Sequence, residues 1–453
     1  MLYSIFRSRR PTLSLVSNTH KKPLKLLRFI TMKKILLFCV AVLFAVFSVT
    51  AQNVSLVGQA GVLNNAAVVQ GGANFSAVAQ LGILNNANVL QLGVNFSNIG
   101  QFGILNTANV AQGGFFNAAL IRQFGLLNTA NVNQLGLANL ALILQVGAFN
   151  DATINQWGAL NFATIAQFGF GQEMTLTQIG ILNRALILQF FGLGNTMALS
   201  QWGVGNFAAM SQFGGIGNHA GVTQVGAFNF ATTTQVGGIL NTAMINQLGA
   251  LNVANTLQLG GIANDANINQ VGIANNALAL QFGGIANDAN INQVGILNQA
   301  FTTQFGGIAN NANVNQLGIF NLGVVTQFGG IGSTGTVNQA GIFNAGFITQ
   351  GGQLFSTATI NQLGVGNLGI IVQPFFGIAN NATITQVGLG NFALTTQLGA
   401  FNQANTVQVG ALNVALTGQL GIGNVANTWQ FGVGHFSAIG QVGIGNVANV
   451  VQF

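Results

Sequence analysis

The sequence predicts an all-β protein, a β-solenoid with two strands per coil and about 18 coils of 22–23 residues. Three observations predict it. A glutamine recurs 36 times between Gln59 and Gln452 at nearly constant spacing. Around each glutamine, amide and apolar residues alternate with a period of two. Over much of the chain, inserted residues fall after every second glutamine.

The composition clears the ground for this reading. Of 453 residues, 50% are hydrophobic, 3% are charged and 63 are Gly. Ordinary soluble domains carry roughly 25% charged residues, so conventional charged surfaces around several separate cores are ruled out. High hydrophobicity argues against disorder, and three Pro without a Gly-x-y period exclude collagen. The net charge of +7 suggests nucleic acid until the charges are located. Nine of the eleven Lys and Arg lie in the first 34 residues; beyond residue 52 only Arg122 and Arg184 remain, against Asp151, Glu173, Asp265 and Asp288. Phosphate binding needs clustered cations, so no nucleic-acid partner is expected.

The basic start reads as three parts of a domain plan. Met32-Lys33-Lys34 opens a positive segment, Ile35 to Val46 is apolar throughout, and Ser48-Val49-Thr50-Ala51 supplies small residues. That is a secretory signal at 32–51, with cleavage expected between Ala51 and Gln52. Residues 1–31 form an N-terminal extension, read first as translation assigned from too early a start, with initiation at Met32, and second as a genuine extended leader. The repeats occupy 52–453. Cys39, the one cysteine, lies within the signal, so the mature chain is expected to hold no disulfide or thiol site. No transmembrane segment is expected in it either.

Of the 35 spacings between the glutamines, 24 are 11 residues. The unit reads Asn-x-Ala-x-(Val/Ile)-x-Gln-x-Gly-x-x, as in Asn264 to Gly272. Asn, Ala, Val or Ile, and Gln occupy alternate positions, the mark of a strand that shows one set of side chains to one face. The position two before Gln is Val or Ile in 25 of 36 units and Thr in seven more. The Gly two after Gln and the next two residues are expected to be the turn, making strands of about seven residues.

The insertions set the coil at two units. From Gln189 to Gln386 the spacings of 12 or 13 follow Gln189, Gln212, Gln235, Gln258, Gln281, Gln304, Gln327, Gln350 and Gln373, so all fall on one edge of a two-unit coil. Eighteen coils at about 4.8 Å would make a stack on the order of 85 Å. The expected core ladders include Gln247, Gln258, Gln270, Gln281, Gln293 and Gln304, with Asn252, Asn264, Asn275 and Asn287 and the apolar Ile268 and Ile291. Buried amides then bond their copies above and below.

The register Asn-x5-Gln-x4-Asn-x5-Gln, with Gly two after Gln and Ala two after Asn, resembles the curlin repeat of curli, the bacterial extracellular amyloid fibre. The resemblance covers residues 53–452. It implies a strand–turn–strand coil, secretion in unfolded form, and self-polymerisation at the cell surface into biofilm matrix and adhesive fibres. It also implies a nucleator subunit and an outer-membrane secretion pore as partners. The family's inward Gln maps to the 36 glutamines, and its inward Asn to residues such as Asn106, Asn128, Asn252, Asn275 and Asn424. The chain departs in opening its units mostly with Asn rather than Ser, in its number of coils, and in starting the repeat at Asn53.

No catalytic, cofactor or metal site is expected. His219 and His435 stand alone in sequence, and the Gly-rich turns have no following helix to cradle phosphate. Asp265 and Asp288, 23 residues apart, should stack on the outer surface as charges that discourage lateral aggregation. The residue after Gln points outward yet is large and apolar in 30 of 36 units. Phe282, Phe305 and Phe328 belong to a stripe of such residues along one side, a candidate association surface. A transmembrane barrel is rejected because its strands need about 9–11 residues with a lipid-facing apolar side. A non-polymerising extracellular adhesin and an ice-binding solenoid remain the rival readings; the latter needs a regular flat array, and the Thr pairs Thr232/Thr234 and Thr383/Thr385 are irregular.

Overall fold

The computed structural model describes residues 53–375 and 377–453. The N-terminal extension, the signal segment with its Ala51–Gln52 junction, and Cys39 lie outside the described residues. Residues Ser55–Phe453 form one compact unit. Of the other unit, Met1–Val54, only Asn53 and Val54 are described, and both belong to the first strand.

Every regular element is a strand, from β1 (Asn53–Val62) to β34 (Val447–Gln452), and no helix occurs among the described residues. Strands pair in parallel with the strand one turn away. Thus β18 (Asp265–Ile273) pairs with β20 (Asp288–Ile296), which pairs in turn with β22 (Asn311–Ile319). On the other side, β19 (Asn276–Phe282), β21 (Gln299–Phe305) and β23 (Leu322–Phe328) form the same succession. The register puts like on like: Gln270 on Gln293, Ile268 on Ile291, and Gln281 on Gln304. The chain is therefore a parallel β-solenoid of about 17 turns. The strand tally sits just below the sequence expectation because β4 (Asn86–Ile104) and β5 (Thr107–Leu126) each run without a break through two glutamine units.

Alternation decides which side chains go inside. Along β18 the burial runs half, full, half, full from Asp265 to Ile268. Ala266, Ile268 and their copies Ala289 and Ile291 are wholly buried. The facing sheets mesh small against large: a Cβ added at Gly346 would lie 2.6 Å from Cγ1 of Val337 across the core, and one at Gly335 would lie 2.6 Å from Cγ1 of Val325. Stacking each β-branched side chain on its copy buries apolar area in every turn, which drives the folding of a chain with almost no charge.

The turns depart from the sequence reading. The Gly two after Gln is not in the turn of the nine-residue strands but inside the strand, as Gly272 is in β18. Its φ is 130°, and an added Cβ would run into the carbonyl of Gly295 in the next turn, so two backbones approach where only hydrogen fits. The chain reverses two residues later, in the left-handed region, at a glycine in some turns, as Gly423 with φ 67°, and at a non-glycine in others: Ala274 has φ 55° and Leu297 φ 57°. On the opposite edge the inserted Gly-Gly pairs do form the turn, and β19, β21 and β23 stop at seven residues. The isoleucine after each pair builds a further column of single parallel bridges, Ile262 to Ile285 to Ile308 to Ile331.

Candidate functional site

The repeating chemistry lies in two amide ladders. Gln247, Gln258, Gln270, Gln281, Gln293 and Gln304 are all buried to within 2% exposure. Nε2 of Gln247 donates to Oε1 of Gln270 at 2.9 Å, and Nε2 of Gln270 donates to Oε1 of Gln293 at 2.8 Å. On the other sheet Gln258 donates to Gln281 at 2.7 Å and Gln281 to Gln304 at 2.9 Å. The second hydrogen goes to the backbone: Gln270 reaches the Val253 carbonyl at 2.9 Å, and Gln281 those of Asp265 at 2.9 Å and Asn287 at 2.8 Å. In these turns each amide is satisfied by the turn after it, which removes the cost of burying it.

The asparagines hold the corners in two ways. Where the Gly lies in the strand, Asn275 donates both its backbone N–H, at 3.1 Å, and Nδ2, at 3.2 Å, to Oδ1 of Asn252, and Nδ2 also reaches the Gly295 carbonyl at 3.0 Å. On the Gly-Gly edge, Asn287 donates its N–H to Oδ1 of Asn264 at 3.0 Å but turns Nδ2 to the Gly306 carbonyl at 3.1 Å. The wider turn presents a carbonyl there and replaces the side-chain contact.

One interruption was not expected from sequence. Gln172 stands where a corner Asn is usual, and its longer side chain donates to the Phe168 carbonyl at 3.2 Å. Beside it, Oε1 of Gln172 and Oε1 of Gln189 are buried without a hydrogen-bond partner. The strand register shifts between Phe190 and Gly192 in the turn stacked on it. An extra methylene at a corner and a bulge two strands on mark one local fault in the ladder.

The expected aromatic stripe is a stack. Phe282 and Phe305 have ring centroids 4.7 Å apart, Phe305 and Phe328 5.2 Å, with planes within 8° and 3°. Phe168, Phe190 and Phe213 repeat the arrangement at 4.9 and 5.3 Å. Phe305 and Phe328 are 40% and 37% exposed. Because the rings face one another, their edges rather than their faces meet the surroundings.

The four acids of the chain share one column, which pairwise inspection of the sequence missed. Asp151 pairs with Glu173, Glu173 with Thr196, Thr196 with His219, His219 with Thr242, Thr242 with Asp265 and Asp265 with Asp288. Oγ1 of Thr196 and Nδ1 of His219 lie 2.7 Å apart. Burial, then the Glu173 charge, pushes the Asp151 carboxyl above its ordinary value, with a smaller downward pull from the Ala152 N–H. Burial, then Asp265, does the same to Asp288. The two arginines sit on the other sheet: burial lowers Arg122, whose Nη1 donates to Oδ1 of Asn98 at 3.0 Å, and Arg184 lies over the Phe162 ring at 5.4 Å.

Among the described residues no group of three or more His, Cys, Asp or Glu side chains could hold a metal. His435 takes a corner position, donating its N–H to Oδ1 of Asn413 at 3.0 Å. The surface grooves are dents where a small residue interrupts the outward apolar column, as Ala340 does between Leu317 and Leu363. No helix of the described residues is long and apolar enough to cross a membrane.

Comparison with known families gives four matches to the one described as curlin associated repeat, at residues 106–136, 128–158, 150–180 and 356–388. No curated protein matches the chain.

Proposed function

The chain carries curlin associated repeats on a parallel β-solenoid, and from that premise we propose that it is a secreted structural subunit which assembles head-to-tail into extracellular, curli-like amyloid fibres. In this reading two strand segments make each coil, about eighteen coils make the subunit, and the fibre serves biofilm matrix and surface adhesion. It has no catalytic role. The partner is another copy of the chain, with a nucleator and an outer-membrane pore on the export route.

The observation that carries the reading is the sameness of the ladder. From β18 through β20 to β22, successive turns lay Gln on Gln, β-branched residue on β-branched residue and Asn on Asn in unbroken register. At the two ends of the described solenoid, β1 and β2 (Asn65–Gly72) pair toward β3 (Asn74–Ile83) and β4, while β33 (Phe436–Ile444) and β34 pair back toward β31 (Val414–Ile422) and β32 (Val425–Val433). A coil of a second copy meets the same hydrogen-bond pattern and the same core profile as the coil it would continue. Such a heterologous, non-closing contact generates a filament.

The test is incubation of purified residues 52–453, followed by electron microscopy and fibre diffraction. Unbranched fibrils with a meridional spacing of about 4.7–4.8 Å support the reading. Preformed seeds should remove the lag, and a charged, Pro-containing helix fused after Phe453 should block growth at one end. Persistent soluble monomers would replace it by the adhesin. An ice-binding reading draws on one observation, the side-by-side outward columns Asn267–Asn290–Asn313 and Asn269–Asn292–Asn315, and an ice-recrystallisation assay decides it.

A further inference from the structure

The two outer faces of the solenoid differ in chemistry at the same strand position. Three residues before each Gln, the sheet containing β18 presents Asn267, Asn290, Asn313, Thr336, Thr359 and Thr383 in one column. The sheet containing β19 presents Leu278, Phe301, Val324, Phe347, Ile370 and Leu394 there. Both sheets carry an apolar column just after Gln, Val271, Val294 and Leu317 on the first and the stacked Phe282, Phe305 and Phe328 on the second; the second alone is apolar three residues before Gln as well over these turns, and all four acids of the chain lie on the first. Alternation alone requires neither choice, since both columns point away from the core.

We propose that this apolar face is an interface and that its occupant is the same face of a second copy, so that solenoids pair laterally with their Asn/Thr/acid faces outward. Two arguments select a second copy. The first is pitch. The ridges recur once per turn, at about 4.8 Å, and a surface that fills the grooves along the whole stack must share that repeat. Another solenoid of this chain does. The second is area. The apolar column runs through six turns, from Leu278 to Leu394, and gives way to Asn255 and Thr232 below them, so this stretch of seven-residue strands measures about 23 Å by about 29 Å and a facing pair buries about 1,300 Å², within the roughly 1,200–2,000 Å² of a standard interface. The face brings two cations and no acid, and both cations are already engaged: Arg122 is hydrogen-bonded to Asn98, and Arg184 lies over Phe162. Pairing therefore buries little unpartnered charge.

This inference extends the assembly reading, yet it stands or falls separately, because lateral pairing without head-to-tail growth yields discrete dimers. Residues 52–453 contain no cysteine, so a single introduced thiol reports one face. Val324→Cys marks the apolar face and Thr336→Cys the polar face; both positions are half-buried outward sites in paired strands. Circular dichroism checks that each variant folds. Thiol labelling is then compared before and after assembly of the full mature chain. The expected result is a loss of labelling rate of about tenfold or more in the Val324→Cys variant, with little change in the Thr336→Cys variant. Scanning-transmission mass measurement should give twice the mass per length of one solenoid. Phe301→Lys should halve that value, and Asn290→Lys should leave it unchanged. Discrete dimers in which the apolar-face thiol is protected would support the pairing while sinking fibre growth. Single-solenoid filaments, equal labelling of both faces, or protection of the apolar-face thiol only on added phosphatidylcholine vesicles would overturn the pairing.

Discussion

Replacing Gln270 by Leu and, separately, its neighbour Asn269 by Leu isolates what burial does to one kind of hydrogen bond. Both residues belong to amide ladders of the same pitch on the same strand. Gln270 accepts from Gln247 at 2.9 Å and donates to Gln293 at 2.8 Å and to the Val253 carbonyl at 2.9 Å, all inside the core. Asn269 accepts from Asn246 at 2.9 Å and donates to Asn292 at 2.9 Å on the exposed surface. Leu at 270 strips Gln293 Oε1 of its donor and leaves Gln247 Nε2 with only the Phe230 carbonyl at 3.0 Å. Two orphaned buried groups cost about 1–3 kcal/mol each, offset by about 1 kcal/mol of added apolar burial, for a net of about 1–5 kcal/mol. Leu at 269 hands its partners to water and costs under about 0.5 kcal/mol. A repeat array unfolds in parts, so the assay is amide hydrogen exchange of peptides spanning β18 rather than a global midpoint. Gln270→Leu should raise local opening by about 5- to 4,000-fold, at about 1.4 kcal/mol per tenfold, and Asn269→Leu by less than about threefold. Equal exchange in the two variants would refute the assignment of the glutamine ladder as the buried support of the coil.

Four further substitutions follow from named contacts. Thr302 is wholly buried and its hydroxyl has no partner, so Thr302→Val should raise local stability by about 1–3 kcal/mol, read from hydrogen exchange of peptides spanning the substituted strand. Gly346→Ala should lower it by about 1–3 kcal/mol, because the new Cβ meets Val337 across the core. Gln172→Asn removes one orphaned oxygen and restores the corner, for a gain of about 1–2 kcal/mol in the same measurement. The carboxyls of Asp151 and Asp288 are raised in the folded state, so protonation favours the fold. Their contribution is fully present below the ordinary carboxylate range near about 4 and is lost as pH rises through the raised values. Stability should therefore fall from mildly acidic to neutral pH, and the double change Asp151→Asn, Asp288→Asn should flatten that profile.

Much of this structure is legible in the sequence because one physical rule repeats. Period-two alternation around Gln270 fixes which side chains enter the core, and 23-residue spacing fixes that Gln293 lies over it. What the sequence hid depends on approach rather than pattern. Gly272 looks like a turn glycine, and only the closeness of the Gly295 carbonyl in the next turn shows why it must lack a Cβ inside a strand. The reversal falls to Ala274 and Leu297 in the left-handed region, a conformation their side chains do not advertise. The ladder fault at Gln172 was hidden because Gln and Asn differ by one methylene, which matters only where a corner has no room for it. The acid column was hidden by reading Asp265 and Asp288 as one pair and not following that position back through His219 and Glu173 to Asp151.

The same uniformity that permits a filament makes the register of joining ambiguous, and the irregular turns bear on it. If all turns were alike, an incoming copy could dock one coil out of step at no cost, because a slip by a whole coil keeps every side chain on its own face. Turns bearing Gly-Gly differ from turns without them. They carry the extra isoleucine bridges, run from Leu193 to Ala400, and belong to the middle of the stack. Toward Gln452, β29 (Phe392–Ala400) to β33 run nine residues, with the Gly two after Gln inside the strand and no Gly-Gly pair in the turn. At the other end of the described stack β1 and β2 run ten and eight residues with Gly61 and Gly72 inside the strands, so they match a joining coil of the β31 to β33 type better than a Gly-Gly coil of the middle does. Turn type thus favours end-to-end joining over joining to an exposed middle turn, while the faces, apolar on one sheet and amide on the other, govern what happens side to side.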